Sequence, residues 1–191
     1  TFKALMADQK KRARDARANI SGWANASGSL LADLPKTEFV GYTEQACDAK
    51  VLAIIVDDGL VDQVSEGEFT LILDKTPCYG EGGGQIGDEG SICANGMAVS
   101  VLDTKKTDGI YLHMCSTDAA VVRVGDVVKV SINTERRAAI MRNHSAAHLL
   151  QNALRSVLGT HVEQAGSYVS DTVCRFDFTH FAAMTAEEIE Q

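Results

Sequence analysis

The chain has 191 residues, 45% of them hydrophobic and 23% charged, the composition of an ordinary globular protein with room for one large domain or two small ones. A net charge of −8 speaks against a surface coated in phosphate-binding cations, although a local basic patch can still steer RNA on an acidic body. No window approaches the run of about 18 apolar residues that a membrane helix needs, and no cationic-then-apolar signal pattern opens the chain. Five cysteines, none in a C-x-x-C pair, exclude a secreted disulfide framework and a zinc ribbon, so the cytosol is the expected compartment.

In chain order, residues 2–26 predict a helix of good formers without proline, carrying the basic cluster Lys10, Lys11, Arg12, Arg14 and Arg17. Ala26-Ser27-Gly28-Ser29 and Pro35 then punctuate the chain. From about residue 38 to 132 the texture is short β-prone runs: 38–42, 50–56, 69–73, 91–94, 97–102, 110–114 and 127–132. Asn95-Gly96 between two of them is a strong hairpin signal, and strands so closely spaced predict a small barrel or sandwich. His113 and Cys115 form a stray H-x-C, read as strand filler rather than as a metal site.

After Thr134 the period becomes helical, over 135–158, with Gly159 as the expected C-terminal cap. Extended segments follow at 167–169 and 172–178; in the second, Cys174, Phe176 and Phe178 share one face. Thr185 and Glu188 make a capping box for a last helix. With Thr1 in place of an initiator methionine and a helical pattern running into Gln191, the chain reads as a piece of something larger.

Two places carry chemistry. His144-Ser145-Ala146-Ala147-His148 puts two imidazoles four residues apart, one above the other on a helix face, where they can share a metal ion. Ser145 stands where a metalloprotease would have its glutamate, which disfavours proteolysis. On the helical wheel, Ile140, Ala146, Leu149, Leu150, Ala153, Leu154, Val157 and Leu158 form an apolar arc. The histidines lie off its middle, on a stripe with Arg137, Met141, Gln151 and Arg155. Further zinc ligands are open: His161, Glu163, Cys174 and His180 are candidates, none favoured by spacing.

The second place is the glycine-rich run from Thr76 to Gly90. It contains a G-x-G-x-x-G, but a strand rather than a helix is predicted next and no Gly-Lys-Ser/Thr follows, so a nucleotide loop is excluded on context. What remains is a backbone that takes positive φ or lies close against something.

Together these segments resemble the alanyl-tRNA synthetase family. TPCYGEGGGQIGDEG is similar to that family's glycine-rich stretch, with Cys78 at a usual Phe. RNHSAAHLLQNALRSVLGTHVEQAGSYV resembles the helix that carries half of its editing zinc site, RFDFTH the strand after it, and FKALMADQKKRARDAR the helix leading out of its tRNA-recognition part.

The resemblance implies an α+β chain in three parts: residues 1–35 a helical end of the tRNA-recognition part, 36–133 a β-barrel-like domain with the glycine loop, and 134–191 the first part of a zinc-dependent editing domain. It implies zinc on His144 and His148, completed by a later C-x-x-x-H, and Gln164 in the editing pocket. Gly82, Gly83, Gly84, Gln85, Arg137, Arg142 and Arg155 are candidates for contact with substrate or tRNA, and Ala147 replaces a threonine common in the family.

For the whole protein the resemblance implies ATP- and magnesium-dependent alanylation of tRNA(Ala), with neither membrane nor DNA as a partner. For this region it implies hydrolysis of seryl- and glycyl-tRNA, the fragment alone being inactive. A freestanding editing hydrolase and a non-catalytic tRNA-docking module are the rival readings.

Overall fold

The computed structural model describes residues 31–191; the helix expected over 2–26 and its basic cluster lie outside them. The centre of the fold is a closed six-stranded antiparallel barrel. Around the ring run β2 (Ala46–Val56), β5 (Gly67–Leu73), β9 (Ile110–Thr117), β8 (Met97–Thr107), β7 (Gly90–Ala94) and β11 (Val127–Ile132), and β11 returns to β2 to close it. Closure removes the unpaired edges that an open sheet would present. Short strands β1 (Glu38–Phe39), β3 (Gly59–Val61), β4 (Gln63–Val64), β6 (Lys75–Thr76) and β10 (Val122–Arg123) decorate the wall.

The pleat explains β2. Cys47, Ala49 and Val51 point inward while Asp48 and Lys50 face solvent. The register with β5 then shifts between Val51 and Ala53. Beyond that point both faces are covered: Ile54 joins the barrel core with Leu71, Ile92, Val99 and Val130, while Ala53 and Ile55 join a second cluster with Leu31, Ile72 and Leu112.

Asn95-Gly96 forms the expected hairpin turn, with φ of 51° and 81°. Asp108-Gly109 makes a second one between β8 and β9, with φ of 49° and 86°. β2 and β8 outrun the expected 50–56 and 97–102, because cross-strand pairing recruits the polar residues Asp48 and Asp103–Thr107 despite weak β-propensity. The expected strand at 38–42 shrinks to two residues.

The helix α1 (Thr134–Leu158) starts where Asn133 accepts the Arg136 backbone N–H at 3.0 Å. Glu135 in its first turn and Arg155 in its last complement the helix dipole. The hairpin β12 (Gln164–Val169) and β13 (Cys174–Phe178) packs against it, and α2 (Ala186–Glu190) begins at the expected Thr185–Glu188 capping box. No helix among the described residues is long and apolar enough to cross a membrane.

The apolar arc of α1 departs from expectation. Leu149 is 71% and Leu150 41% exposed; of the arc only Ile140 is buried, and the other buried residue of the helix, Ala147, lies outside it. Hydrogen bonds from loop residues hold Arg136, Arg137 and His144, while Met141, His148 and Arg155 of the polar stripe are exposed.

His113 is a core residue. Its Nδ1–H donates to the Leu71 carbonyl at 3.1 Å and its Nε2 accepts from the Thr76 hydroxyl at 2.7 Å. Complete burial pushes its pKa down to about 4. Among the described residues no three His, Cys, Asp or Glu side chains cluster.

Candidate functional site

The glycine-rich run leaves the barrel after β6 and turns tightly. Gly82 and Gln85 exchange both backbone hydrogen bonds at 3.0 Å, with Gly83 and Gly84 between them at φ of 60° and 83°. Two successive positive φ values are what a type I′ turn requires, and glycine meets the requirement without steric cost. The outgoing arm lies along β12: the Val169 N–H donates to the Gly84 carbonyl at 2.8 Å, and the Ile86 N–H to the Val169 carbonyl at 3.1 Å. No room is left for a side chain at Gly84, since a Cβ there would meet Ser167. The loop is therefore a strut between barrel and hairpin.

Its far end holds α1. Asp88, 2% exposed at the side chain, receives the Arg137 guanidinium, with Nε 3.0 Å from each carboxylate oxygen and Nη2 closing a second contact. Asp88 also accepts the Tyr79 N–H at 2.8 Å. Arg137 donates further to the carbonyls of Gly41 at 3.1 Å and Pro77 at 3.0 Å. Next to it, Arg136 reaches the Gly87 carbonyl at 2.9 Å and Glu89 at 3.1 Å. Arg137, a candidate for RNA contact from the sequence, thus has its donors engaged inside the fold. Arg142 and Arg155 are exposed.

The strut delivers Gln85 to the histidine pair. Gln85 is buried, and its Oε1 lies 2.6 Å from His144 Nδ1. An amide oxygen only accepts, so the imidazole proton sits on Nδ1 and the Nε2 lone pair is left for another partner. His144 and His148 stack with centroids 5.2 Å apart and planes at 25°.

A cavity of about 150 Å³ opens beside them, lined among others by Gly83, Ala147, Gln151, Gln164 and Ser167. Gln164 stands at its rim with Nε2 donating to Ser167 Oγ at 3.0 Å. On the other side of His144 lies an aromatic-lined cleft of about 440 Å³, bordered by Phe39, Tyr42, Tyr79 and Gln85.

The structure therefore brings Gly83, His144, His148 and Gln164 to the small cavity and Gln85, Arg137 and His144 to the neighbouring cleft, while Arg142 and Arg155 line neither. Gln151, already on the histidine stripe of the helical wheel, and Phe176, on the half-buried face of β13, line the cavity without having been singled out as site residues. Nothing in the sequence pattern points to Ser167.

As a zinc site the described residues fit in part. The arrangement frees an imidazole nitrogen in the way outer ligands of metal sites do, but supplies two of the four donors of a tetrahedral set. His161, Glu163, Cys174 and His180 do not complete it. His161 Nε2 instead pairs with His180 Nδ1 at 2.9 Å, and the His161 ring stacks on both His180 and Phe181.

Residues 1–136 match the family described as tRNA synthetases class II (A). Over the chain's length it is similar to alanine–tRNA ligases from Acetivibrio thermocellus (49% identical), Alkaliphilus oremlandii (44%) and Bacillus velezensis (39%), covering 99%, 100% and 100% of the chain respectively. The chain spans 22% of the length of each. The chain belongs to the alanyl-tRNA synthetase family, among the tRNA synthetases of class II (A).

Proposed function

We propose that this region hydrolyses wrongly charged tRNA within a protein that alanylates tRNA(Ala) at the expense of ATP, in the cytosol. A pocket shaped for alanine cannot strongly reject serine or glycine, because one hydroxyl or methylene is worth only about 1–3 kcal/mol, so a second, hydrolytic site is needed. The observation that carries the reading is the 2.6 Å contact of Gln85 with His144. Without a ligand to orient, a buried glutamine brought by a glycine strut to one of two stacked imidazoles has no evident purpose.

In this reading His144 and His148 hold a zinc ion together with donors from outside the described residues. When bound, zinc supplies Lewis-acid polarisation and a place to orient water. The aminoacyl end of the tRNA enters the cavity, with Gln164 and Ser167 at its rim. Water adds to the ester carbonyl carbon, the bond to the ribose oxygen breaks, and that oxygen takes a proton, releasing free amino acid and intact tRNA. Gln85 keeps the His144 proton on Nδ1. Arg142 and Arg155, exposed along α1, contact RNA phosphates, whereas Arg137 anchors the helix. ATP and magnesium serve alanylation elsewhere in the protein.

The test is His144→Ala in the full-length protein, measuring bound zinc, seryl-tRNA hydrolysis and alanylation. Zinc is expected to be lost and hydrolysis to fall at least about a hundredfold, with alanylation retained. RNA binding without zinc in the wild type would favour the docking module instead, and hydrolysis that survives the substitution would reject the reading.

A further inference from the structure

The cleft on the far side of His144 has no part in the hydrolytic chemistry as described above. Its walls come from three places in the sequence: Phe39 and Tyr42 from β1 and the turn after it, Tyr79 from the glycine-rich run, and Met141 with His144 from α1. Tyr42 is 88% exposed and meets Phe39 edge to face, with centroids 5.0 Å apart and planes at 80°. Tyr79 stands against Phe39 in the same manner at 6.4 Å. Three aromatic rings in one concavity, one of them almost bare, form an apolar surface that the fold itself does not use.

Size and charge narrow what the cleft takes. At about 440 Å³ it falls within the range of about 300–1,000 Å³ usual for small-molecule sites, whereas the 150 Å³ cavity across His144 falls below it. An anion is poorly served here: Arg137 spends its donors on Asp88, Gly41 and Pro77, and Glu44 adds a carboxylate to the lining. A neutral planar ring with polar edges fits, stacking on an aromatic face with Glu44 and Gln45 nearby. Positive charge lies just beyond. Phe39 stacks parallel on Tyr111 at 5.6 Å, and Lys106 Nζ is 5.1 Å from the Tyr111 centroid, with Lys105 exposed beside it. The row from Tyr42 through Phe39 and Tyr111 thus ends at two cations, where the phosphates of a strand leading into the cleft would be met.

We propose that the cleft holds the unpaired terminal base of the tRNA's 3′ end, stacked on Tyr42, while the aminoacyl group on the same nucleotide lies in the small cavity. The inference rests on the hydrolytic reading above. His144 lines both spaces, so a single nucleotide straddles it, with its ester on one side and its base on the other. The small cavity has no room for the ribose and base together with the aminoacyl group, and the cleft is the adjoining space. Stacking of an unpaired base on an aromatic ring is worth about tenfold or more in affinity. Tyr42 is then a substrate-binding residue remote from the reacting carbonyl.

The experiment uses the full-length protein with Tyr42→Ala and Tyr42→Phe. Two substrates are compared, seryl-tRNA with its terminal base intact and seryl-tRNA whose terminal ribose lacks the base, both acylated chemically. The wild type is expected to hydrolyse the intact substrate with a kcat/KM at least about tenfold higher. Tyr42→Ala should slow the intact substrate to the level of the abasic one and leave the abasic one unchanged, whereas Tyr42→Phe, which keeps the ring, should retain the gap. Wild-type protein that hydrolyses both substrates alike, or a gap that survives Tyr42→Ala, overturns the base subsite and leaves the hydrolytic reading standing. Equal slowing of both substrates by Tyr42→Ala does the same, since it would show the ring supporting the fold rather than the base. Wild-type protein that hydrolyses neither substrate overturns the hydrolytic reading and this inference with it.

Discussion

The barrel and the helix–hairpin unit beside it are built on opposite plans. In the barrel, six strands close on themselves around a dry interior of Ile54, Leu71, Leu73, Ile92, Val99 and Val101, all 2% exposed or less. In the unit formed by α1, β12 and β13, the buried hydrophobic side chains reduce to Ile140, Ala147, Val162 and Val169, while Leu149, Tyr168 and Val173 are exposed. The barrel is held by apolar burial, the helix–hairpin unit largely by polar ties, most of those to the barrel side running through one glycine-rich strut. The stable half positions the chemical half, and the histidines sit on the half with the smaller core, where a polar cavity disturbs least packing.

The largest test of this contrast is Asp88→Ala. The carboxylate is almost fully buried and is the principal partner of Arg137, itself 13% exposed at the side chain. Removing one member of a buried pair leaves the other charge without compensation and costs about 3–5 kcal/mol. Urea unfolding should show a correspondingly lower midpoint. Amide exchange is the sharper readout: α1 and β12 should lose protection first, while β2, β5 and β9 keep theirs. Equal loss in both regions would break the comparison, since the barrel would then depend on the tie as much as the helix does.

A second test addresses the barrel alone. His113 is wholly buried with its pKa lowered to about 4 from an ordinary 6.5, desolvation being the cause and the Leu71 carbonyl a partial offset. As pH falls through this window the unfolded chain takes up a proton that the folded chain refuses, so stability present above pH 6.5 is lost on the way to pH 4. The full loss from this residue is about 3 kcal/mol. His113→Gln, compared with wild type by urea unfolding at pH 7, 5.5 and 4.5 (values chosen to bracket roughly this window), should remove that part of the acid slope. An unaltered slope would mean that the barrel's acid sensitivity lies elsewhere.

Features that depend on neighbours in sequence were legible before any coordinates. The 3.6-residue period marked α1, Asn95-Gly96 marked its hairpin, Thr185–Glu188 marked its cap, and the i, i+4 spacing of His144 and His148 placed both on one face. Features that depend on partners far along the chain were not. Nothing local announces that β11 pairs with β2, or that Gln85 reaches His144 across 59 positions. Arg137 reads from sequence as a free cation on a helix, and only the packed loop shows why it is there. Cys78 is fully buried in the barrel core, and its thiol pKa is pushed up to about 12 by desolvation. The apolar arc of α1 misled because periodicity reports which residues share a face, and says nothing of which face finds a partner.

The smallest effect discriminates most finely. Gly83 and Gly84 both hold positive φ, but a Cβ on Gly83 meets nothing within 4 Å, whereas one on Gly84 would fall 2.6 Å from the Ser167 carbonyl oxygen and closer still to its hydroxyl. Gly83→Ala therefore carries the conformational cost alone, about 1–2 kcal/mol. Gly84→Ala adds displacement of β12 and should total about 2–3 kcal/mol. The difference between the two urea midpoints thus measures the contact between strut and hairpin rather than the turn itself. Because that contact also fixes Gln85 under His144, Gly84→Ala should slow seryl-tRNA hydrolysis in the full-length protein more than Gly83→Ala does. If the two variants prove equal in both readouts, the loop is an ordinary turn that touches nothing of consequence, and the coupling of barrel to histidines has to run through Asp88 and Arg137 alone.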